Sequence, residues 1–463
     1  MSSIPRLQKA LARQGIAVSY ERGIYRLANP HTSATVLLPA SLPLEEKAVR
    51  QLLAFASVQS ADGHHKVCKA CATPDFHPGA IAPVGTVVAT GPDFVIPASI
   101  GTDINCGMRL LSTGLTLARF QQGEAKLVQR LTHVLLQNGR NVPVRTTAFR
   151  ALFDEGPHAF IDSLERHGLW SSVDLDRLDQ EVARCVGLSS FRAASRYAPD
   201  AHVGARDVIR DPSLGTPGGG NHFVEFQVVD AVLDRHAAYA AGLKAGDVVL
   251  MIHTGSRDVG FYVGQRWMDR AKAAWPAGAK HPESGLFGLA GELAAEYLVA
   301  MGTAARYAWA NRVVLAEMVR KEIAEVFATM DSRLIVDVPH NVVMQEQGLN
   351  IHRKGATPAR QGDLALIPGS MGDASYLATG LGNPDWLWSC SHGAGRSVRR
   401  QQTRRVSAST EAVSWRCVTL SEERRIEEAP SAYKPIGPVI AAQEEAGLIQ
   451  GVVRLRPLLT FKA

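Results

Sequence analysis

The sequence predicts a fold of mixed α and β structure. Two apolar runs of strand length, residues 248–252 and 334–338, each lead within two residues into a histidine. Residues 286–327 have helical periodicity over a length typical of one long helix or a packed pair. The chain also contains 41 glycines and 24 prolines, which supply turns between such elements. Strands, long helices and frequent turns together indicate a large protein of mixed class.

Composition narrows the class of protein further. The 463 residues are 46% hydrophobic, enough for a sizeable core, and their net charge of +6 is compatible with a polyanionic partner without requiring one. Six cysteines in a chain of this length do not predict a disulfide scaffold. The N-terminal residues lack the apolar core of a signal peptide, and no apolar run approaches the ~18 residues of a membrane span. We therefore expect a soluble, cytoplasmic protein with no membrane partner.

The first 60 residues are predicted to form an N-terminal segment packed on a main domain of residues 61–463. Their periodicity predicts a basic helix, a short strand and a second helix, at residues 7–13, 35–38 and 44–55. Glutamates in the first turn of the second helix favour its dipole. None of these elements carries a candidate for catalysis.

Two short motifs follow the N-terminal segment. Cys68 and Cys71 have the CxxC spacing of zinc and redox sites, but no second pair follows, so incidental thiols are the simpler interpretation. Residues 74–79 predict a polar turn, which explains their prolines and glycine. Turn chemistry does not explain Asp75 and His77, so they are candidates for a substrate contact or a supporting group.

Asp103 and Cys106 form the first predicted metal-binding pair. The two side chains are three residues apart between glycines, so they can converge on one ion if the segment turns. A carboxylate with a thiolate suits Zn²⁺, or Mn²⁺ in a mixed ligand set. The alternative is an aspartate-capped turn with a buried cysteine.

A glycine-rich loop at residues 214–220 leads into the next predicted strand. Its spacing matches neither a Walker loop nor a dinucleotide-binding loop, so those mechanisms do not transfer. Strand alternation puts His222 on the same face as Val224 and opposite to Glu225. Asn221, at the junction of loop and strand, has an amide that can reach a ligand.

His253 and His340 end two further predicted strands. His253 precedes a glycine-serine turn and Arg257, and His340 follows the apolar run 334–338. One histidine at a strand end is usually a satisfied polar residue. Several of them beside glycine turns predict a shared site.

The helical residues 286–327 are predicted to form one helix interrupted at Gly302, or two packed helices. The stretch contains almost no helix breakers except Gly302. Tyr307, Trp309 and Val313 recur at helical spacing. Such a stripe is typical of a core rather than of a cofactor site.

His392 is the predicted nucleophile or phosphate ligand. Residues 389–396 place its imidazole among small residues, and a loop at 366–372 can present backbone N–H groups to an anion. A tight turn is the alternative interpretation. Four arginines follow His392 closely and form a basic cluster: Arg399, Arg400, Arg404 and Arg405.

Together, these residues suit metal-assisted phosphoryl or nucleotidyl transfer. Five side chains are competent to bind a metal, and His392 is a sixth group free to attack phosphorus. The predicted metal ligands are Asp103, Cys106, His222, His253 and His340. The predicted phosphate contacts are Arg257, Arg353, Lys354 and Arg396.

From about Pro74 to its C-terminus the chain resembles the RtcB family of RNA ligases. The matching motifs lie at residues 74–77, 101–108, 220–225, 253–257, 353–356, 367–372, 389–396 and 433–434, with Lys462 near the end. No single motif is specific, but the set in this order is. The resemblance implies one large α+β domain, with mixed β-sheets flanked by helices around a central metal and nucleotide cleft.

The resemblance also implies site residues, GTP as cosubstrate and two Mn²⁺ ions. His392 would be the guanylylated nucleophile, and the five predicted metal ligands would bind Mn²⁺. Nucleotide contacts would come from Asn221, His222, Phe223, Val224, Glu225, His340, Asn341, Pro368, Gly369, Ser370, Met371, Ser375, His392, Gly393, Ala394, Gly395 and Lys462. Substrate phosphates would meet Arg257, Arg396 and Asp75.

The implied activity joins RNA 3′-phosphate or 2′,3′-cyclic phosphate ends to 5′-hydroxyl ends, in tRNA splicing or RNA repair. Residues 78–82 depart from the family, because Ala80 stands where many members have a lysine between glycines. Thr102 and Asn105 replace the commoner valine and glycine. A divergent paralogue that caps or seals specialised RNA or DNA 3′-phosphate ends is therefore an alternative. A non-catalytic RNA-binding protein with a structural metal is another.

Overall fold

The computed structural model describes residues 4–204, 207–398 and 415–463, without the side chains of residues 4–6. Two large β-sheets and a set of helices make up these residues, so the predicted α+β class is confirmed. None of the described helices is both long and apolar enough to cross a membrane. The predicted basic cluster at Arg399, Arg400, Arg404 and Arg405 lies outside the described residues.

The strands form two large sheets and three small two-stranded ones. In chain order they are β1 (Ala17–Glu21), β2 (Ile24–Ala28), β3 (Ser33–Leu37), β4 (Val67–His77), β5 (Val84–Thr90), β6 (Phe94–Val95), β7 (Gly107–Thr116), β8 (Val144–Arg145), β9 (Val208–Ile209), β10 (Phe223–Val232), β11 (Asp247–Thr254), β12 (Leu289–Ala290), β13 (Leu334–Pro339), β14 (Asn341–Glu346), β15 (Leu349–Lys354), β16 (Ala356–Pro358), β17 (Leu364–Ile367), β18 (Ser375–Gly380), β19 (Ser389–Ser391), β20 (Cys417–Thr419) and β21 (Ile449–Lys462).

The first large sheet has the order β1-β2-β3-β4-β5-β15-β14. Its neighbouring strands are antiparallel except β3 and β4, where Thr35 and Val36 pair in parallel with Cys71 and Ala72. The strands of the N-terminal segment thus continue the sheet that contains β4 and β5. Cys68 is exposed and Cys71 is buried on β4, so the two thiols of the CxxC motif lie in different environments.

The second large sheet has the order β13-β7-β11-β10-β21-β18-β17, with β20 added in parallel to β21. The two end strands, β13 and β17, approach one another, so the sheet curves into a nearly closed barrel. Four consecutive neighbours, β13, β7, β11 and β10, are antiparallel. This arrangement places the first residues of β7 and β10 at the same edge as the last residues of β11 and β13.

The helices cover the sheets and one of them is buried. In chain order they are α1 (Ile4–Ala12), α2 (Glu46–Ala56), α3 (Leu117–Leu131), α4 (Thr146–Asp154), α5 (Pro157–Asp162), α6 (Leu175–Glu181), α7 (Asp200–Val203), α8 (Arg235–Ala240), α9 (Arg257–Ala273), α10 (Glu292–Phe327), α11 (Glu422–Glu427) and α12 (Ile436–Glu445). α10 is 36 residues long and buried along most of its length, with Tyr307, Trp309 and Val313 in the core as predicted.

The predicted interruption at Gly302 is wrong, because α10 continues through it. A Cβ atom at Gly302 would lie 2.0 Å from the carbonyl oxygen of Arg192. Glycine therefore serves close packing of a neighbouring loop here, not termination of the helix. The prediction of a turn at residues 74–79 also needs correction, since β4 runs on to His77 and the turn follows it.

Candidate active site

The predicted metal ligands converge at the shared edge of four strands. Gly107, the first residue of β7, pairs with Thr254 of β11 and with Pro339 of β13. Phe223, the first residue of β10, pairs with His253. Residues just before β7 and β10 and at the ends of β11 and β13 are therefore brought together by antiparallel register.

The five predicted ligands form two overlapping groups. Asp103, Cys106 and His222 make one group, and Cys106, His253 and His340 make the other, each with its ligand atoms within 4.8 Å. The Cys106 Sγ lies 3.2 Å from His222 Nε2 and 3.3 Å from His253 Nε2. His222 Nε2 is 3.1 Å from Asp103 Oδ2, and the Nε2 atoms of His253 and His340 are 3.1 Å apart. Cys106 is the residue that the two groups share.

The electrostatics of this cluster fit a cation. Burial lowers the pKa of His253 and of His340 well below the usual value, so both imidazoles are neutral and their Nε2 atoms can offer lone pairs. Burial and then Asp103 raise the pKa of the Cys106 thiol well above its usual value. A metal ion bound between these groups would lower the pKa of the Cys106 thiol and would be coordinated by the thiolate. Imidazole, thiolate and carboxylate together suit a borderline divalent metal.

The predicted strand alternation is confirmed along β10. The strand begins at Phe223, and His222 immediately precedes it. Phe223 and Glu225 line the cleft, whereas Val224 faces the opposite side and is fully buried in the core. The two faces of the strand therefore carry the residues that the sequence pattern predicted.

His392 lies beside this cluster and is held through one ring nitrogen. Its Nδ1 is 2.6 Å from Asp75 Oδ2, and Thr73 Oγ1 donates to Asp75 Oδ1 at 2.6 Å. Burial alone would raise the pKa of Asp75, but the hydrogen bonds from His392 and Thr73 outweigh it and the pKa lies below its usual value. Ionised Asp75 accepts the proton on Nδ1, which leaves the Nε2 lone pair available.

The second ring nitrogen of His392, Nε2, is available in the cleft. The ring lines the cleft, and its Nε2 makes no hydrogen bond with the described residues. Its centroid is 4.7 Å from that of the His340 ring. The nucleophile candidate is therefore next to the metal-binding candidates.

Two glycines make the close approach around His392 possible. Gly395 has φ +77°, and a Cβ there would lie 2.2 Å from the Asp75 carbonyl oxygen. Gly355 has φ +60°, and a Cβ there would lie 3.1 Å from His392 Cε1. Both positions favour glycine for backbone conformation and for space. The glycines near His392 therefore allow close packing, Gly395 against the backbone of β4 and Gly355 against the imidazole ring.

A cleft of about 620 Å³ is lined by His392 and by four of the five cluster residues, all except His222. Most residues predicted to bind the nucleotide line it. They are Asn221, Phe223, Glu225, His340, Asn341, Pro368, Gly369, Ser370, Met371, His392, Gly393, Ala394, Gly395 and Lys462. Ser375 lies behind the wall, where its Oγ accepts from the Gly369 N–H at 3.3 Å and from Gln227 Nε2 at 2.9 Å. Ser375 and the buried Val224 therefore support the wall.

Comparison with known proteins agrees with this geometry. The family model for the tRNA-splicing ligase RtcB matches residues 55–463. The chain belongs to the RtcB family. It is 33% identical over 428 residues to the tRNA-splicing ligase RtcB of Thermococcus kodakarensis, covering 83% of this chain and 86% of that protein.

Two further relatives show similar coverage. Identity to the tRNA-splicing ligase RtcB of Pyrobaculum aerophilum is 31% over 432 residues, covering 84% of this chain and 86% of that protein. Identity to the protein of the same name from Aeropyrum pernix is 30% over 462 residues, covering 88% and 90%. The similarity therefore spans nearly the whole RtcB chain and not a single motif.

The two arginines predicted to meet phosphate occupy different positions in this RtcB-family chain. Arg396 lines the cleft and donates to Glu428 Oε1 at 3.3 Å. Arg257 does not line it; its Nε donates to Thr216 Oγ1 at 3.2 Å, and its guanidinium covers Gly218. A Cβ on Gly218 would lie 2.0 Å from that guanidinium. Arg257 thus holds the glycine-rich loop.

The prediction that Arg353 contacts phosphate is wrong. Arg353 is fully buried and forms an ion pair with Glu346 at 2.6 Å, with a further bond from its Nε to Ser389 Oγ. A buried guanidinium already paired in this way has no donor to offer a ligand in the cleft. Its neighbour Lys354 does line the cleft, and its Nζ donates to the Ile100 carbonyl at 2.9 Å.

Two polar residues of α10 hold the RtcB site together and were not predicted. Arg312 Nη1 donates to the carbonyls of Asn105 at 2.8 Å and Thr254 at 3.1 Å, and so joins two ligand-bearing segments. Asn311 Oδ1 accepts from the Gly215 N–H at 2.7 Å, which holds the glycine-rich loop. Both side chains are buried, and they stand between two apolar runs of the helix, residues 307–310 and 313–316. That contrast is the sequence signal that could have identified them.

Proposed function

We propose that this chain is a GTP- and Mn²⁺-dependent ligase that joins RNA 3′-phosphate or 2′,3′-cyclic phosphate ends to 5′-hydroxyl ends. Membership of the RtcB family supports an RNA ligase activity, with tRNA as the expected class of substrate. The observation that carries the finer proposal is the position of His392. Asp75 holds its Nδ1, and its Nε2 is free in the cleft beside the cluster of metal ligands.

The residues of the cluster would hold two Mn²⁺ ions that share Cys106. One group would use Asp103, Cys106 and His222, and the other Cys106, His253 and His340. When bound, Mn²⁺ offsets negative charge on the reacting phosphates. The orientation of the nucleophile comes from the protein itself.

In the first step, His392 Nε2 attacks the α-phosphorus of GTP. A P–N bond forms, the bond to the leaving pyrophosphate breaks, and His392 carries GMP as a phosphoramidate. Asp75 keeps the proton on Nδ1 and stabilises the positive charge that develops on the imidazole. The chain therefore supplies both the nucleophile and its orienting group.

Two further transfers complete ligation. An oxygen of the RNA 3′-phosphate attacks the phosphorus of the GMP group, and the P–N bond to His392 breaks. The 5′-hydroxyl of the second RNA end then attacks the activated 3′-phosphate, and GMP leaves as the phosphodiester forms. A free histidine is regenerated in each turnover.

One wall of the cleft suits a purine nucleotide. Burial raises the pKa of Glu225, whose carboxyl oxygens receive hydrogen bonds from Thr460 and Gln227. Lys462 Nζ lies 3.7 Å from Glu428 Oε2, at the end of β21. Glu225 can accept from purine N–H groups, and Lys462 adds positive charge near the phosphates.

Incubation with α-labelled GTP and Mn²⁺ tests the proposal. We expect an acid-labile, alkali-stable protein adduct that transfers its label after RNA with a 3′-phosphate is added. GTP labelled at the γ-position serves as the control and leaves no label on the protein. Absence of an adduct from α-labelled GTP would contradict guanylylation of His392.

Asp75→Asn is expected to slow adduct formation by about 10- to 100-fold, as for groups that orient a ligand or reactive side chain. The amide can donate to Nδ1, which favours the tautomer with its proton on Nε2 and blocks the nucleophile. Single-turnover rates of labelling measure the effect. Thr73→Val removes a bond to the same carboxylate but keeps its charge, so a smaller loss is expected. Equal rates for Asp75→Asn and the wild type would disprove the positioning role.

Specialised RNA or DNA ends are a second candidate substrate, favoured by the loop at residues 78–82. This loop lines the cleft, and Ala80 is exposed there where many family members carry a lysine. Sealing and capping should be compared on cleaved tRNA, linear RNA and DNA 3′-phosphate ends. Efficient sealing of generic RNA ends would argue against specialisation.

A further inference from the structure

Helix α2 contributes charged residues to the cleft from outside the family-matched residues 55–463. Glu45 immediately precedes the helix and Lys47 lies in its first turn, and both line the cleft. The sequence indicated no functional residue in this segment. Its contribution arises because the N-terminal strands continue the first large sheet and carry α2 against β4.

The position of α2 is determined by hydrogen bonds to the loop that follows β4. Gln51 Nε2 donates to the carbonyls of Gly79 and Ile81, both at 3.0 Å, and Gln51 Oε1 accepts from the Gly79 N–H at 3.3 Å. Lys47 is four residues before Gln51, so it lies one turn earlier on the same helix face. It therefore stands beside residues 78–82, which contain no charged side chain.

Lys47 differs from the other cations of the cleft because it has no partner among the residues that the structure describes. The lysines and arginines that line the cleft in the described residues are Lys47, Lys354, Arg396 and Lys462. Lys354 donates to a backbone carbonyl, and Arg396 and Lys462 both lie against Glu428. Lys47 is exposed and makes no hydrogen bond or ion pair with any described residue. Its charge is available to a ligand.

The carboxylate of Glu45, two residues before Lys47, interacts with a different lysine. Glu45 interacts with Lys434, whose pKa is lowered to about 8 by burial although Asp75 and Glu45 oppose that shift. Lys434 itself donates to the Phe76 carbonyl at 2.6 Å, behind the cleft wall.

Residues of both large sheets line the cleft, and Lys47 lies on the side of the first sheet. Glu225 lies in β10 and Lys462 ends β21 of the second large sheet, and Asn221 precedes β10 by two residues. Lys47 and residues 78–82 belong to the side of the first large sheet. On the proposed function, the nucleotide contacts Asn221, Glu225 and Lys462, and the part of the cleft beside Lys47 and residues 78–82 is left to the RNA strand that delivers its 3′-phosphate.

We propose that Lys47 binds a backbone phosphate of the RNA strand whose 3′ end reaches His392. α2 thereby supplies a cation beside a loop that has none. This inference rests on the proposed ligase function for the direction of the strand, but the contact itself can be measured as binding. A lysine on a flexible stem suits a phosphate as a point charge.

Binding of a fluorescent single-stranded RNA with a 3′-phosphate tests the contact, measured by anisotropy without GTP. Lys47→Ala is expected to weaken binding by about five- to tenfold, and to make the slope of log affinity against log salt shallower by about 0.7, the value for one phosphate contact on a single strand. Lys47→Arg should restore the affinity. Arg50→Ala is the matched control, because Arg50 is an exposed cation of the same helix that does not line the cleft.

The outcomes separate this proposal from the ligase proposal. Equal RNA affinity and salt slope in Lys47→Ala and the wild type would overturn the contact. Loss of the GTP adduct in Lys47→Ala would assign the residue to the nucleotide and also overturn it. A wild-type protein that forms no adduct, yet binds RNA through Lys47, would contradict the ligase mechanism and support the contact. An equal loss in Arg50→Ala would show a general charge effect and count against Lys47.

Discussion

His392→Ala is expected to form no adduct with GTP and to seal no RNA ends, a loss of at least about 1,000-fold in rate. The side chain supplies the nitrogen that attacks phosphorus, in a ring that Asp75 orients, and alanine has no nucleophile to replace it. The imidazole borders the cleft rather than filling the core, so the variant should fold. Labelling with α-labelled GTP, and sealing assays on RNA with 3′-phosphate and 5′-hydroxyl ends, measure both losses.

A substrate that bypasses the first two steps provides the control for His392→Ala. RNA whose 3′-phosphate is already joined to GMP needs only the attack of the 5′-hydroxyl, in which His392 is not the nucleophile. The variant should therefore seal this RNA in the presence of Mn²⁺. Persistence of the adduct in His392→Ala would contradict the assignment, and failure on activated RNA with normal metal content would show a further role in the last step.

Cys106→Ala is expected to lower Mn²⁺ affinity at both metal positions by at least about 100-fold, since even groups that only orient a ligand contribute 10- to 100-fold. Its Sγ is the atom common to both ligand groups. His340→Ala removes a ligand from one group alone, so it should lose one ion and retain the other. Metal content after dialysis and titration calorimetry with Mn²⁺ distinguish the two results.

A second thiol provides the matched control for Cys106→Ala. Cys71 is also fully buried, but it lies on β4 outside the cluster, so Cys71→Ala should retain both ions. Adduct formation should fall with metal content in the Cys106 and His340 variants. Retention of both ions in Cys106→Ala would disprove the shared ligand.

Much of the site could be predicted because the chemistry of a side chain is a local property. Histidines at strand ends beside glycine turns pointed to a shared site, and the antiparallel neighbours β7, β10, β11 and β13 bring them to one edge. The predictions were wrong where one type of residue can have either of two structural roles. Gly302 was interpreted as a break although it permits close packing, and Arg353 as a phosphate contact although it pairs with Glu346.

The sequence by itself determined the mixed fold class, the family resemblance and which donor groups are present, because periodicity and residue type can be read without distant contacts. Only the tertiary structure decided how those groups are used. Cys106 is shared because it meets His222 and His253, residues 116 and 147 positions away, through strand register. Asp75, 317 positions before His392, determines which ring nitrogen of His392 is free. The parallel pairing of β3 with β4 places α2, and with it Lys47, at the cleft. Such long-range pairings leave no periodic signal in the sequence.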